Sequence, residues 1–134
     1  MGDAFVQRAL RAGHPVWLRA RGQSMRPLIP DGSEVLVVPL ERPPRVGEVV
    51  LLEVLGEVAL HRVVEVSLAA GRRYVRSRGD GRRLPDPPLP AEAVLGRAAR
   101  VRLGRHTVRL DSRLAMALGW AVARLFPYLW WLRR

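Results

Sequence analysis

Glycine and proline punctuate this chain at short intervals from Pro15 to Gly104, and that punctuation constrains the fold more than any other feature. Proline fixes φ and removes a backbone donor, and glycine favours turns. The 12 glycines and 11 prolines therefore leave room for short strands and tight turns but not for a bundle of long helices. The stretches between them alternate. In 16–21, Val16, Leu18 and Ala20 fall on one side and Trp17, Arg19 and Arg21 on the other, which is the period of a half-buried strand. Further strand-like runs cover Glu34–Val38, 48–54, 58–66, 73–78, 93–103 and 107–110. Leu55-Gly56-Glu57 forms a hairpin link, His106 falls in a turn around Gly104, and 84–90 is a proline-rich loop. The pattern predicts a mainly β fold, a coiled and partly closed sheet, with a short helix at the N-terminus and a hydrophobic helix at the C-terminus.

The two helical segments differ in character. Near the N-terminus, Asp3 stands as an N-cap and Gly13 as a stop, and Phe5, Val6, Ala9 and Leu10 share a face. This segment is too short and too charged to be a signal peptide or a membrane anchor. At 134 residues the chain suits one domain, placed at 1–110, followed by a hydrophobic or amphipathic helical segment at 111–134. In that segment Arg124 sits near the centre of the apolar run, and an arginine there costs about 2.5–3.5 kcal/mol on insertion scales. Trp120, Tyr128, Trp130 and Trp131 with Arg133 and Arg134 fit a helix lying in the headgroup region, and a helix packed on the domain's own sheet fits equally well. A peripheral membrane location is favoured, with a cytoplasmic one as the alternative.

The formal charge is +11, and all 23 Lys and Arg residues are arginine. Such a charge attracts anionic partners in general. No helix-turn-helix, zinc finger or aromatic RNA-binding signature accompanies it, so no nucleic-acid partner is expected. There is no cysteine, which excludes disulfides and thiolate metal sites. Neither a metal nor another cofactor is implied.

The most unusual stretch is Gly22-Gln23-Ser24-Met25-Arg26-Pro27-Leu28-Ile29-Pro30-Asp31-Gly32, a lone serine among turn formers with apolar anchors behind it. A serine hydroxyl becomes a nucleophile only when a base takes its proton. Arginine cannot be that base, because it stays protonated at any accessible pH. Histidine can, since its ordinary pKa falls near neutrality. His61 lies inside a strand-like run, whereas His14 precedes a proline and His106 sits in a predicted turn. A third group should orient the base, and the loop Gly79-Asp80-Gly81-Arg82-Arg83-Leu84-Pro85-Asp86 offers two carboxylates, Asp80 and Asp86.

In order along the chain, Gly22-x-Ser24-Met25-x-Pro27 with Gly32, then Val46-Gly47-Glu48-Val49-Val50, His61-Arg62-Val63-Val64, Arg78-Gly79-Asp80 and Leu95-Gly96-Arg97 resemble the boxes of the signal peptidase I family, over residues 22–97. That family is related to the LexA-type self-cleaving repressors. With no lysine available for a Ser-Lys dyad, the sequence resembles the archaeal and endoplasmic-reticulum branch, where a histidine stands in its place. The resemblance implies a β-rich serine peptidase acting on a polypeptide substrate such as a precursor or leader peptide, without an N-terminal membrane anchor. Ser24 would be the nucleophile, His61 the base and Asp86 the third member, with Asp80 as the alternative. Gly22, Ser24 and Met25 would form the oxyanion and substrate-binding edge. Three departures stand out. Gly22 occupies a place where many members carry a serine, and Ser33 and Glu48 each follow a glycine where the family has aspartate. Gly22 and Ser33 support a second reading, a catalytically silent member that binds a peptide or a membrane partner.

Overall fold

The computed structural model describes residues 3–22, 25, 28–54 and 56–129. Helix α1 (Asp3–Arg11) is followed by strands β1 (Val16–Arg19), β2 (Glu34–Val38), β3 (Val49–Val54), β4 (Glu57–Ala69), β5 (Arg72–Arg78), β6 (Leu89–Pro90), β7 (Val94–Leu103) and β8 (His106–Arg109), then by helix α2 (Arg113–Leu129). A short 3-10 turn at Ala91–Ala93 joins β6 to β7. The strands form one antiparallel sheet in the order β1-β2-β7-β3-β4-β5-β6, with β8 paired to β7. The sheet curls into a half-barrel.

The strand in 16–21 stops at Arg19, but its predicted alternation holds, with Val16 buried and Trp17 and Arg19 exposed. β4 is longer than its apolar run, because its second half pairs with β5 through Ala69↔Arg72. Backbone pairing can extend a strand into exposed polar sequence that hydropathy alone would end. His106 opens β8, opposite Leu103, instead of lying in the turn. Phe5 is 48% exposed. Leu10 and Val6 lead the buried stripe of α1, and Phe5 lies about 100° round the helix from Val6 and about 140° from Leu10.

Apolar side chains pack on both sides of the central strands. Val49 and Leu51 of β3 join Leu10, Met25, Ile29, Val35, Val37 and Val101 on one side, while Val50 and Leu52 join Val63, Val75 and Val94 on the other. Burial on both sides makes β3 and the middle of β4 the stiffest part of the sheet, and His61 is carried there. Period two then sorts the polar residues. Val63 pairs with Ser77 and Arg62 with Arg78 across β4 and β5, so His61 and Ser77 share one face and Arg62 and Arg78 the other.

Ser112 starts α2 by accepting the Ala115 N–H at 3.1 Å on its hydroxyl. The helix packs on β4 and, through a contact between Gly119 and Gly47, on the turn ahead of β3. A Cβ on Gly119 would stand 2.6 Å from Arg62 Nη1 and collide with the Gly47 carbonyl, and a Cβ on Gly47 would stand 2.6 Å from the Trp120 nitrogen. Only backbone fits there. Among the described residues no helix is long and apolar enough to cross a membrane.

Candidate active site

β4 presents His61 and Arg62 to opposite faces, and each finds a different carboxylate from the loop that follows β5. The His61 Nδ1 lies 2.5 Å from Asp86 Oδ2. A carboxylate only accepts, so Nδ1 carries the hydrogen and donates it, which leaves the Nε2 lone pair as the site that can take a proton. His61 is 7% exposed, held by its strand, and therefore rigid. The Ser77 hydroxyl, itself buried, donates to the same Asp86 oxygen at 2.9 Å, and the Asp86 N–H donates to the Ser77 carbonyl at 2.7 Å.

Asp80 is engaged elsewhere. Arg62 donates from Nε to Asp80 Oδ1 at 2.8 Å and from Nη2 to Oδ2 at 2.7 Å, a two-point pair between buried side chains. Its remaining nitrogen, Nη1, donates to the Gly47 carbonyl at 2.7 Å, directly beneath Gly119 of α2. The Asp80 N–H points at the Met25 sulfur, 3.4 Å away. Of the two carboxylates in this loop, Asp86 meets the histidine and Asp80 braces the loop. Next to this pair, burial lowers the Arg78 guanidinium below its ordinary value; Asp80 opposes the shift and Arg62 adds to it.

Ser24 lies outside the described residues, while Gly22 and Met25 are described. Gly22 has φ +86°, in the left-handed region that a serine side chain rarely adopts, and its N–H donates to Asp31 Oδ1 at 2.8 Å. This accounts for glycine where the resembled family often has serine. Met25 is 4% exposed in the main core, and its carbonyl accepts the Ile29 N–H at 2.9 Å. The chain on the C-terminal side of Ser24 is thus anchored against Asp80, six residues before Asp86 in the same loop.

A family model for Peptidase S24-like proteins matches residues 3–97 of the chain. The chain belongs to this family. The matched span includes Ser24, His61, Ser77, Asp80 and Asp86 and ends within β7. No curated protein matches the chain. Membership in a Peptidase S24-like family makes this a serine peptidase-like domain.

Glu48 turns out to have a structural partner. Its buried carboxylate accepts Arg42 Nη1 and Nη2, each at 2.9 Å, and the Arg45 N–H at 2.6 Å. The bond to Glu48 raises the Arg42 guanidinium, and partial burial works against it. Glu48 therefore supplies a carboxylate that closes the turn ahead of β3. Ser33 serves through its backbone, its carbonyl accepting the Ala20 N–H at 2.8 Å.

Sequence reasoning missed Ser77. Its signal was weak but present, since β5 turns a hydroxyl inward two residues after the buried Val75, and a buried hydroxyl needs a partner. Two clefts of about 350 and 390 Å³ lie elsewhere, and neither is lined by His61, Ser77 or Asp86. Among the described residues, no group of three or more His, Asp or Glu side chains gathers as a metal site requires.

Proposed function

We propose that the chain is a serine endopeptidase that cuts a precursor or leader peptide through Ser24, His61 and Asp86. The observation that carries this reading is the His61–Asp86 pair, with Nδ1 engaged and Nε2 left to work as a base. Ser24 Oγ attacks the scissile carbonyl carbon while His61 Nε2 takes its proton. Backbone N–H groups beyond Gly22, whose own N–H is committed to Asp31, hold the oxyanion, that of Ser24 among them. Collapse breaks the C–N bond, and His61 passes the proton to the leaving amine. Water, activated by the same imidazole, then hydrolyses the acyl-enzyme. The absence of lysine supports the histidine-type branch of signal peptidase relatives over a Ser-Lys dyad.

A peptide library incubated with the protein should show endoproteolytic cuts after small residues, and these should vanish in Ser24→Ala. Library peptides that are retained but never cut would point to the silent, peptide-binding reading instead.

We also propose that the protein sits on an anionic lipid surface through the outward side of α2. Its inner side is committed to the sheet, with Gly119 on Gly47 and the Val122 carbonyl accepting Arg78 Nη2 at 3.4 Å. Leu114, Leu118 and Leu125, 51–71% exposed, line an outward stripe at helical spacing. Trp120 is also exposed, on another side of the helix, with Arg124 over its ring at 5.9 Å. A net charge of +11 opposes self-association of two copies and favours an anionic surface.

A further inference from the structure

We infer that Ser77 is a positioning residue of this site, holding the Asp86 carboxylate in line with the His61 ring. The inference rests on the peptidase reading given above. Asp86 belongs to the sequence Pro85-Asp86-Pro87-Pro88, in the connection between β5 and β6. Three of these four residues are prolines and have no N–H, so the segment owns one backbone donor, that of Asp86. That donor goes to the Ser77 carbonyl at 2.7 Å. The hydroxyl of the same serine donates to Asp86 Oδ2 at 2.9 Å, the oxygen that also faces His61 Nδ1 at 2.5 Å. One residue on a stiff strand therefore fixes Asp86 at both its backbone and its carboxylate.

The consequence is directional. The hydroxyl fixes where Oδ2 lies, and Oδ2 fixes the ring and keeps hydrogen on Nδ1. Without it, the carboxylate loses a buried donor and can rotate about its side-chain bonds, since the bond from the Asp86 N–H to the Ser77 carbonyl holds only the backbone. His61 then loses its tautomer and aim together. Ser77 is 2% exposed, so its hydroxyl donates from a position shielded from solvent.

Two substitutions test this. Ser77→Ala removes the hydroxyl. Ser77→Cys keeps a side chain of similar shape and offers a weak S–H donor in its place. Two readouts are followed in each variant: the rate at which a fluorophosphonate probe modifies Ser24, and the far-downfield proton resonance of His61 Nδ1–H, assigned by its absence in His61→Ala. Both variants should remain folded, lower the modification rate about 10–100-fold and broaden or shift the resonance. If Ser77→Ala fails to fold, Ser77→Cys decides. A folded Ser77→Cys with an unchanged resonance and a rate within twofold of the parent would overturn the inference, since a residue that only fills space would behave that way. The resonance needs no peptidase activity. A parent protein that shows it but never reacts with the probe would sink the peptidase reading while leaving the Ser77 contact to be judged by the resonance.

Discussion

Replacing Asp80 by alanine should destabilise the protein far more than replacing Asp86, although both are aspartates of one loop. Asp80 and Arg62 form a two-point ion pair whose side chains are 5% and 4% exposed. Deleting the carboxylate leaves a buried guanidinium with one remaining acceptor, the Gly47 carbonyl. Breaking a buried pair from one side costs about 3–5 kcal/mol. Set against a typical stability of about 5–15 kcal/mol and a urea slope of about 1–3 kcal/mol/M, that loss moves the unfolding midpoint down by about 2 M. Asp86→Ala loses partners at an 18% exposed side chain and leaves the Ser77 hydroxyl unsatisfied, which costs about 1–2 kcal/mol. Equilibrium urea unfolding followed by tryptophan fluorescence measures both. The double variant Arg62→Leu/Asp80→Leu should recover much of the loss, because the charge left stranded in Asp80→Ala is gone. A cost below about 1 kcal/mol for Asp80→Ala, or equal costs for the two aspartates, would refute the division of labour between them.

Gly119→Ala should cost about 1–3 kcal/mol, because its Cβ meets Arg62 Nη1 at 2.6 Å as well as the Gly47 carbonyl, and thermal unfolding at two scan rates would detect it. An unchanged transition would mean that α2 does not depend on this contact. Vesicles rich in anionic lipid should co-sediment with the protein and release it partly at high salt, with Leu114→Gln/Leu118→Gln binding several-fold more weakly. Equal binding by the variant, or none by the parent, would remove α2 from the account. Reaction of Ser24 with a fluorophosphonate should speed up as pH rises and then level off, since imidazole must be neutral to accept the proton. A rate still climbing through about pH 9 would indicate a different base.

The sheet was largely legible before any coordinates. Alternation and short apolar runs between turn formers located β1 to β5 and β7 to within a few residues, because one face of each, or both faces of β3, is committed to a core, and Glu34–Val38 was read with its observed bounds. What alternation cannot supply is pairing. The polar half of β4, the start of β8 at His106 and the bulges between Leu36 and Val37 and between Val63 and Glu65 all depend on a neighbouring strand. Phe5 was misjudged because helical spacing defines a stripe without saying how much of it the sheet covers. At the site, His61 could be singled out by elimination, but Asp86 could be preferred over Asp80 only through a family resemblance, since both are loop aspartates. The geometry separates them by what Arg62 demands. Ser77 gave only a weak signal because a single serine in a strand has no period and its partner lies nine residues on, inside the proline-rich loop. The Gly47–Gly119 contact was hidden for a similar reason, as neither glycine announces a partner so far along the chain.

The central claim is that His61, oriented by Asp86, activates Ser24, and site-resolved phosphonylation tests it most directly. The parent protein should take up one fluorophosphonate group per chain, located at Ser24 by peptide mass mapping. Ser24→Ala should take up none. His61→Ala and Asp86→Asn should react slower by about 10³–10⁴, with Asp80→Asn, where it stays folded, much closer to the parent. Stoichiometric labelling of Ser24 that is indifferent to both His61→Ala and Asp86→Asn would contradict the account, as would a folded parent protein that takes up no probe at all.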